Sequence, residues 1–219
     1  MAAVYRPPAH SGLDIIYLDD HLLVLNKPSG LLSVPGRGED KQDSLASRVQ
    51  TEYPDALTVH RLDMETSGLL IMARGKETHR ELSRQFEQRE VEKGYLAVVD
   101  GLVDPAEGEI DLPLITDWPN RPRQKVDHQD GKPACTRYQR LEHDAQTDSS
   151  RVALFPVTGR SHQLRVHMQA LGHAILGDAL YADTRAKERS TRLLLHAEHL
   201  AFRHPVSGEP LSFDCPAPF

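Results

Sequence analysis

The chain reads as an α+β protein, a mixed sheet carrying helices on one side. Two observations carry that expectation. Short apolar runs bounded by turn residues, at 15–17, 22–25, 69–73, 95–99 and 152–155, outnumber the segments with helical periodicity at 44–53, 77–89 and 161–171. The two kinds also fail to alternate one for one, as a regular βαβ repeat requires. With 219 residues, 39% hydrophobic and 26% charged, the chain can bury a core without disulfide or metal staples.

Taken in order, residues 1–12 form a Pro- and Ala-containing stretch expected to be a loose leader, followed by one catalytic domain over residues 13–219 with two lobes parting near an acidic stretch. The runs 15–17 and 22–25 bracket Asp19, Asp20 and His21 as strand, turn and strand. Pro28 removes a ladder donor, so residues 26–30 are expected to leave the sheet, and residues 33–40 read as loop. A helix over 44–53 places Leu45 and Val49 on one face and ends before Pro54. The highly charged 77–89 segment carries Leu82 and Phe86 at i,i+4 spacing, a buried stripe on a solvated helix. Residues 137–141 and 152–155 are expected to pair across a polar turn at 142–150, and a helix over 161–171 stops at Gly172.

Charge and cysteine content narrow the function classes. Lys and Arg number 26 against 32 Asp and Glu, a formal net charge of -6, which disfavours a nonspecific nucleic-acid binder. The distribution is nevertheless uneven. Residues 94–117 hold acids and no Lys or Arg, whereas 151–176 hold Arg151, Arg160 and Arg165 and no acid, and 118–137 hold Arg121, Arg123, Lys125, Lys132 and Arg137. An acidic protein can therefore present a basic working face. The two cysteines, Cys135 and Cys215, make neither a disulfide framework nor a zinc site, so a reducing cytoplasm is the expected home. No apolar run approaches a bilayer span, and no membrane association is expected.

Two polar clusters could carry chemistry. His60-Arg61-Leu62-Asp63-Met64-Glu65-Thr66-Ser67-Gly68 precedes an apolar strand. There Asp63 reads as a nucleophile, a general base or a backbone-capping acceptor, and Arg61 as a phosphate contact or a plain surface arginine. Gly159-Arg160-Ser161-His162-Gln163-Leu164-Arg165-Val166-His167 opens a helix, with His162 and Arg165 able to share a face. His162 and His167 are wrongly spaced for a two-histidine zinc site, so anion handling or a structural ion pair fits better. Gly36-Arg37-Gly38 lacks the dinucleotide fingerprint, and neither a metal site nor a cofactor site is expected.

These clusters resemble the HRLDxxTSG and GRxHQxRxH elements of the RluA-type pseudouridine synthases. Asn26-Lys27-Pro28-Ser29-Gly30 resembles that family's NKPxG entry, Lys93-Gly94-Tyr95-Leu96-Ala97 its tyrosine-bearing strand, and Leu194-Leu195-His196-Ala197 its late LHA segment. The resemblance implies a largely antiparallel mixed sheet with flanking helices and a central basic RNA-binding cleft. It implies Asp63 as catalytic carboxylate, Tyr95 as the ring against the target base, and Arg165 as the partner of Asp63. Arg61 would enter the RNA when the uridine leaves its stack; His60, Arg160, His162 and Leu195 would support substrate binding. No cofactor or metal is implied. No S4-like domain is expected ahead of the chain, so recognition is expected to rest on the catalytic domain reading a compact stem-loop; a monomer with no obligatory protein partner is expected. Its expected targets are the first uridine of the tRNA anticodon loop and a hairpin loop of large-subunit ribosomal RNA. Three other readings compete: a stem-loop binder without chemistry, an N-glycosidase using Asp63, and a nuclease using His60, His162 or His196 as acid and base.

Overall fold

The computed structural model describes residues 5–219. The chain divides into two compact units, one running up to Glu92 and taking in Ala197–Pro218, the other comprising Lys93–His196 with Phe219. The leader expected at residues 1–12 lies partly outside the described residues. From Tyr5 onward it is irregular but tied down, because the Tyr5 hydroxyl donates to the Asp43 carbonyl and Arg48 donates to the Pro8 carbonyl.

The first unit is a sheet of β1 (Ile15–Leu18), β2 (Leu22–Lys27), β3 (Ala56–Thr58), β4 (Ser67–Arg74), residues 197–203 of β11 (Leu195–Arg203), and β12 (Pro210–Asp214). The order is β1-β2-β4-β11, with β3 on β4 and β12 on β11. Ser67 to Ala73 of β4 are all buried, which is why the apolar run 69–73 shows no alternation. β2 overruns its expected end at Leu25: Asn26 pairs with Leu69 and Lys27 with Gly68 before Pro28 stops it. The proline deletes only its own donor, and it favours extended backbone in the residue before it.

Helix α1 (Leu45–Glu52) begins at Ser44, whose hydroxyl accepts from the Ser47 amide while the Ser47 hydroxyl accepts from the Ser44 amide. That reciprocal cap fixes the start that sequence alone suggested. Helix α2 (Lys76–Glu87) buries Leu82 in a core with Leu22, Val24, Leu69, Ile71, Leu200 and Phe202, and lays Phe86 against it.

The second unit places residues 93–100 of β5 (Glu92–Asp100) beside β10 (Ser149–Pro156), then β9 (Cys135–Asp144) and β6 (Glu107–Asp111), all antiparallel. The β9–β10 pairing follows the sequence expectation, with longer strands and a turn of only residues 145–148. A separate hairpin joins β7 (Leu114–Thr116) to β8 (Gln124–Val126). Helix α3 (Gln163–Ala170) starts two residues later than periodicity suggests, because His162 is left-handed at φ 55° and cannot belong to the helix. A short α4 (Thr184–Glu188) follows. The core here gathers Ala97, Val99, Val152, Leu154, Leu164, Met168, Ile175 and Leu195. Among the described residues no helix is long and apolar enough to cross a membrane.

Candidate active site

Asp63 lies half-buried in the loop between β3 and β4, and the chain on both sides of it is clamped through backbone atoms. The Ser33 hydroxyl donates to the Leu62 carbonyl at 2.7 Å and accepts from the Leu62 amide at 3.1 Å. On the other side, the fully buried Lys27 ammonium donates to the carbonyls of Met64, Pro28 and Leu31 at 3.0, 2.9 and 2.7 Å. The Gly30 amide reaches the Met64 carbonyl at 2.9 Å, and the Ser29 hydroxyl reaches the Glu65 carbonyl at 2.7 Å. The Thr66 amide closes a turn onto the Asp63 carbonyl at 3.1 Å. The NKPSG segment thus acts as a bracket for the HRLD segment. A bracket of this kind holds a carboxylate in place without consuming its oxygens.

Gly68 is the point where this loop enters β4. Its φ is 111°, and a Cβ there would collide with the backbone of Ala197. Only glycine permits both the positive φ and the close strand.

The His60 Nε2 accepts from the Ile71 amide at 3.0 Å, and its ring stacks on Phe86 with centroids 4.5 Å apart. The lone pair that a general base would use is thus already engaged, which weakens the nuclease reading. Arg61 is exposed and makes no hydrogen bond or ion pair among the described residues.

Around α3 the polar groups are held by side chains instead. Arg165, 4% exposed, meets the fully buried Asp178 carboxylate twice, Nε to Oδ2 and Nη2 to Oδ1, both at 2.7 Å. Asp178 Oδ1 also accepts from the amides of Leu180 and Tyr181. Asp178 was not singled out from the sequence; its only signal there was a lone acid following Gly177 and the apolar residues 174–176. Gly177 has φ 76°, and a Cβ on it would run into the Arg192 carbonyl, so the turn that delivers Asp178 requires glycine.

Tyr181, equally unforeseen, ties this cluster together. Its hydroxyl accepts from the Gln124 amide at 2.7 Å and is hydrogen-bonded to His162 Nδ1, also at 2.7 Å. The Arg165 guanidinium lies 5.1 Å from the centre of its ring and the Arg123 guanidinium 5.5 Å. His162 and Arg165 therefore share Tyr181 as a common neighbour.

The remaining motif residues form a buried relay. Gln163 Oε1 accepts from the Thr158 hydroxyl and the Arg160 amide, and its Nε2 donates to the Cys135 carbonyl and the Thr136 hydroxyl. Thr136 in turn bonds His167 Nδ1 at 2.9 Å, and His167 Nε2 reaches the Leu112 carbonyl at 3.0 Å. Burial pushes the His167 imidazole below its ordinary pKa, so it sits neutral in this relay.

Arg160 keeps an exposed side chain whose Nε donates to the Pro133 carbonyl. Tyr95 stands on β5 opposite Leu154, half-buried against the core. Leu195 is 3% exposed and packed within that same core. A cleft of about 390 Å³ beside Tyr181 is lined also by Asp100, Arg123, Gln169 and Asp183 and by none of the residues singled out as a site.

Comparison with known proteins places this geometry. Residues 21–170 match the family described as RNA pseudouridylate synthase. The chain belongs to that family, and it is an enzyme that isomerises uridine to pseudouridine in RNA. Among its relatives is the dual-specificity RNA pseudouridine synthase RluA of Escherichia coli (strain K12), 56% identical over 98% of each chain. The protein of the same description from Pasteurella multocida (strain Pm70) is 54% identical, again over 98% of both. Of solved structures, human RNA pseudouridylate synthase domain containing 1 superposes with a TM-score of 0.81 at 32% identity, covering 98% of this chain and 87% of that one.

Proposed function

We propose that the enzyme converts uridine in two stem-loops, at the first uridine of the tRNA anticodon loop and in a hairpin loop of large-subunit ribosomal RNA, with Asp63 as the catalytic carboxylate. The observation that carries the double target is the 56% identity, extending over 98% of both chains, to a relative described as dual-specificity. The expected setting is the cytoplasm, with no cofactor.

Pseudouridine formation breaks the C1′–N1 bond and joins C1′ to C5; the C5 proton departs and N1 gains one, so the product is an isomer. Attack at C1′ and removal of a ribose proton both demand an ionised carboxylate, and Asp63 supplies it from a loop fixed by Lys27, Ser29 and Ser33. Tyr95 offers the uracil an aromatic face, with its hydroxyl near C5. Arg165, oriented by Asp178, balances the charge at the reacting centre. Extruding the base costs a few kcal/mol, less from a loop already partly unstacked. Arg61, exposed and unengaged, fills the vacated place or contacts phosphate. Arg160 and His162, ahead of α3, support substrate binding.

The test is product identity. Stem-loops tritiated at C5 are incubated with the enzyme in excess EDTA, and released tritium, RNA mass and digested nucleosides are read together. Tritium release at unchanged mass with pseudouridine in both RNAs is expected. Free uracil with an abasic sugar would establish a glycosidase, shortened RNA a nuclease, and conversion of one RNA alone would remove the dual specificity.

A further inference from the structure

Trp118 is the chain's only tryptophan, and it is 63% exposed at the tip of the β7–β8 hairpin. An indole left in water forgoes the largest apolar burial any side chain can make, so its position calls for a partner. The tip is rigid: Trp118–Asn120 form a single 3₁₀ turn, the Asp117 amide bonds the Arg123 carbonyl at 2.9 Å, and Asn120 Nδ2 holds Asp117 Oδ2 at 2.8 Å. One face of the indole is covered by the Arg121 guanidinium, whose carbon stands 3.4 Å from the ring centre. With that face occupied, the high exposure falls on the opposite face and the edges.

The surroundings choose the kind of partner. Residues 118–126 contain Arg121, Arg123 and Lys125 and no acid, while the flanking Asp117 and Asp127 are engaged by Asn120 and Lys125. No other exposed large hydrophobic lies on the hairpin, so it lacks the apolar ring that a protein hot spot needs to exclude water. A cationic loop bearing a stacked, half-open aromatic is what an unpaired nucleic-acid base and its phosphates require. The base of the hairpin is anchored to the site: Leu114 packs with Val166 and Tyr181, and the Gln124 amide bonds the Tyr181 hydroxyl that holds His162.

We infer that the Trp118–Arg121 pair is a base-stacking platform that binds an unpaired nucleotide of the substrate RNA outside the target uridine. The inference rests on the RNA-modifying reading of the enzyme and adds a specificity-determining contact to it. A base lies on the open indole face while Arg121 keeps the other face and, with Arg123 and Lys125, meets the phosphates.

Because Trp118 is the sole tryptophan, its fluorescence reports on this contact alone. An unmodified synthetic anticodon stem-loop is titrated into the enzyme at several salt concentrations, with RNA anisotropy as an independent measure of binding. Quenching of Trp118 with the same midpoint as the anisotropy is expected. Trp118→Ala should weaken binding about tenfold and Trp118→Phe less, with the half-saturating RNA concentration changing more than the plateau rate. Arg121→Gln should reduce the log-log salt slope by about one. Denaturant midpoints confirm that the variants fold. Pseudouridine formation with silent Trp118 emission, and wild-type binding by Trp118→Ala, would overturn the platform and leave the proposed function standing. Quenching without any pseudouridine would keep the platform and overturn the function.

Discussion

The Asp63 loop and the start of α3 both hold charged groups, yet they are built on opposite principles. Around Asp63 the fixing bonds run to main-chain atoms, from Lys27, Ser29 and Ser33 onto the carbonyls of residues 62, 64 and 65. Around α3 side chains also bond one another, Arg165 with Asp178, Tyr181 with His162, and Gln163 with Thr136 and Thr136 with His167, beside their bonds to the main chain. A backbone bracket is indifferent to what the held side chain is. A side-chain lattice has no such tolerance, because each member satisfies another, and removing one strands a buried polar group.

The sharpest test of this contrast is Asp63→Asn. It keeps size and leaves the bracket bonds in place, so the denaturant midpoint should move less than in the lattice variants while single-turnover pseudouridine formation falls by at least about 10³-fold. A variant that unfolds would show the carboxylate to be part of the scaffold, and near-normal turnover would remove Asp63 from the chemistry.

In the lattice the same style of change should act on both readouts. Asp178→Asn removes the charge that meets the buried Arg165 twice, and breaking a buried pair by removing one member costs about 3–5 kcal/mol. Turnover should drop as well, since the guanidinium loses its orientation. Replacing both residues together, Arg165→Met with Asp178→Asn, removes the stranded charge while keeping an acceptor for the Leu180 and Tyr181 amides, and should restore part of the stability but none of the activity. Comparison of denaturation curves and single-turnover rates for the wild type and the two variants separates the two effects.

The bracket itself is expected to fail more gently. Lys27→Met fills the same space but deprives three carbonyls of their donor, at a cost of about 1–3 kcal/mol. The RNA affinity should change little while turnover falls, because the loop carrying Asp63 is freed. Equal losses in affinity and turnover would show that Lys27 serves binding instead.

The same division explains what was legible in the sequence. Asp63, Tyr95 and Arg165 stood in dense motifs, and the apolar runs of β2, β4, β5 and β10 gave the sheet. Asp178 and Tyr181 were missed because their partners are distant in sequence: a single acid after a glycine signals nothing until Arg165 is placed against it. β3 and α4 are too short to show a period, and the apolar positions of β11 are interrupted by His196, Glu198 and His199. The Lys27 bracket belongs to the same class, since a lysine before a proline gives no hint of burial. Periodicity reports on apolar faces, whereas these residues are fixed by polar bonds across long separations.

The smallest expected effect lies in the lattice and concerns pH. His167 is fully buried, bonded on both nitrogens, and held below its ordinary pKa of 6.5 chiefly by burial, so it is neutral in the folded enzyme. The unfolded chain takes up a proton near 6.5 while the folded one does so only at lower pH. Between those two values the unfolded state binds more protons, and stability must fall as pH falls. The contribution is fully present above the unfolded value and is lost on acidification, at no more than about 1.4 kcal/mol per pH unit for one site. Denaturant midpoints measured stepwise from neutral to mildly acidic pH should decline more steeply for the wild type than for His167→Gln, which bonds but does not titrate. On the other side, the Asp63 bracket includes the Ser33 hydroxyl on the backbone of Leu62. A serine hydroxyl does not titrate, so Ser33→Ala should shift the midpoint by the same amount at every pH. A wild-type curve parallel to that of His167→Gln would mean that the imidazole is accommodated charged, and that Thr136 and Leu112 both accept protons from it.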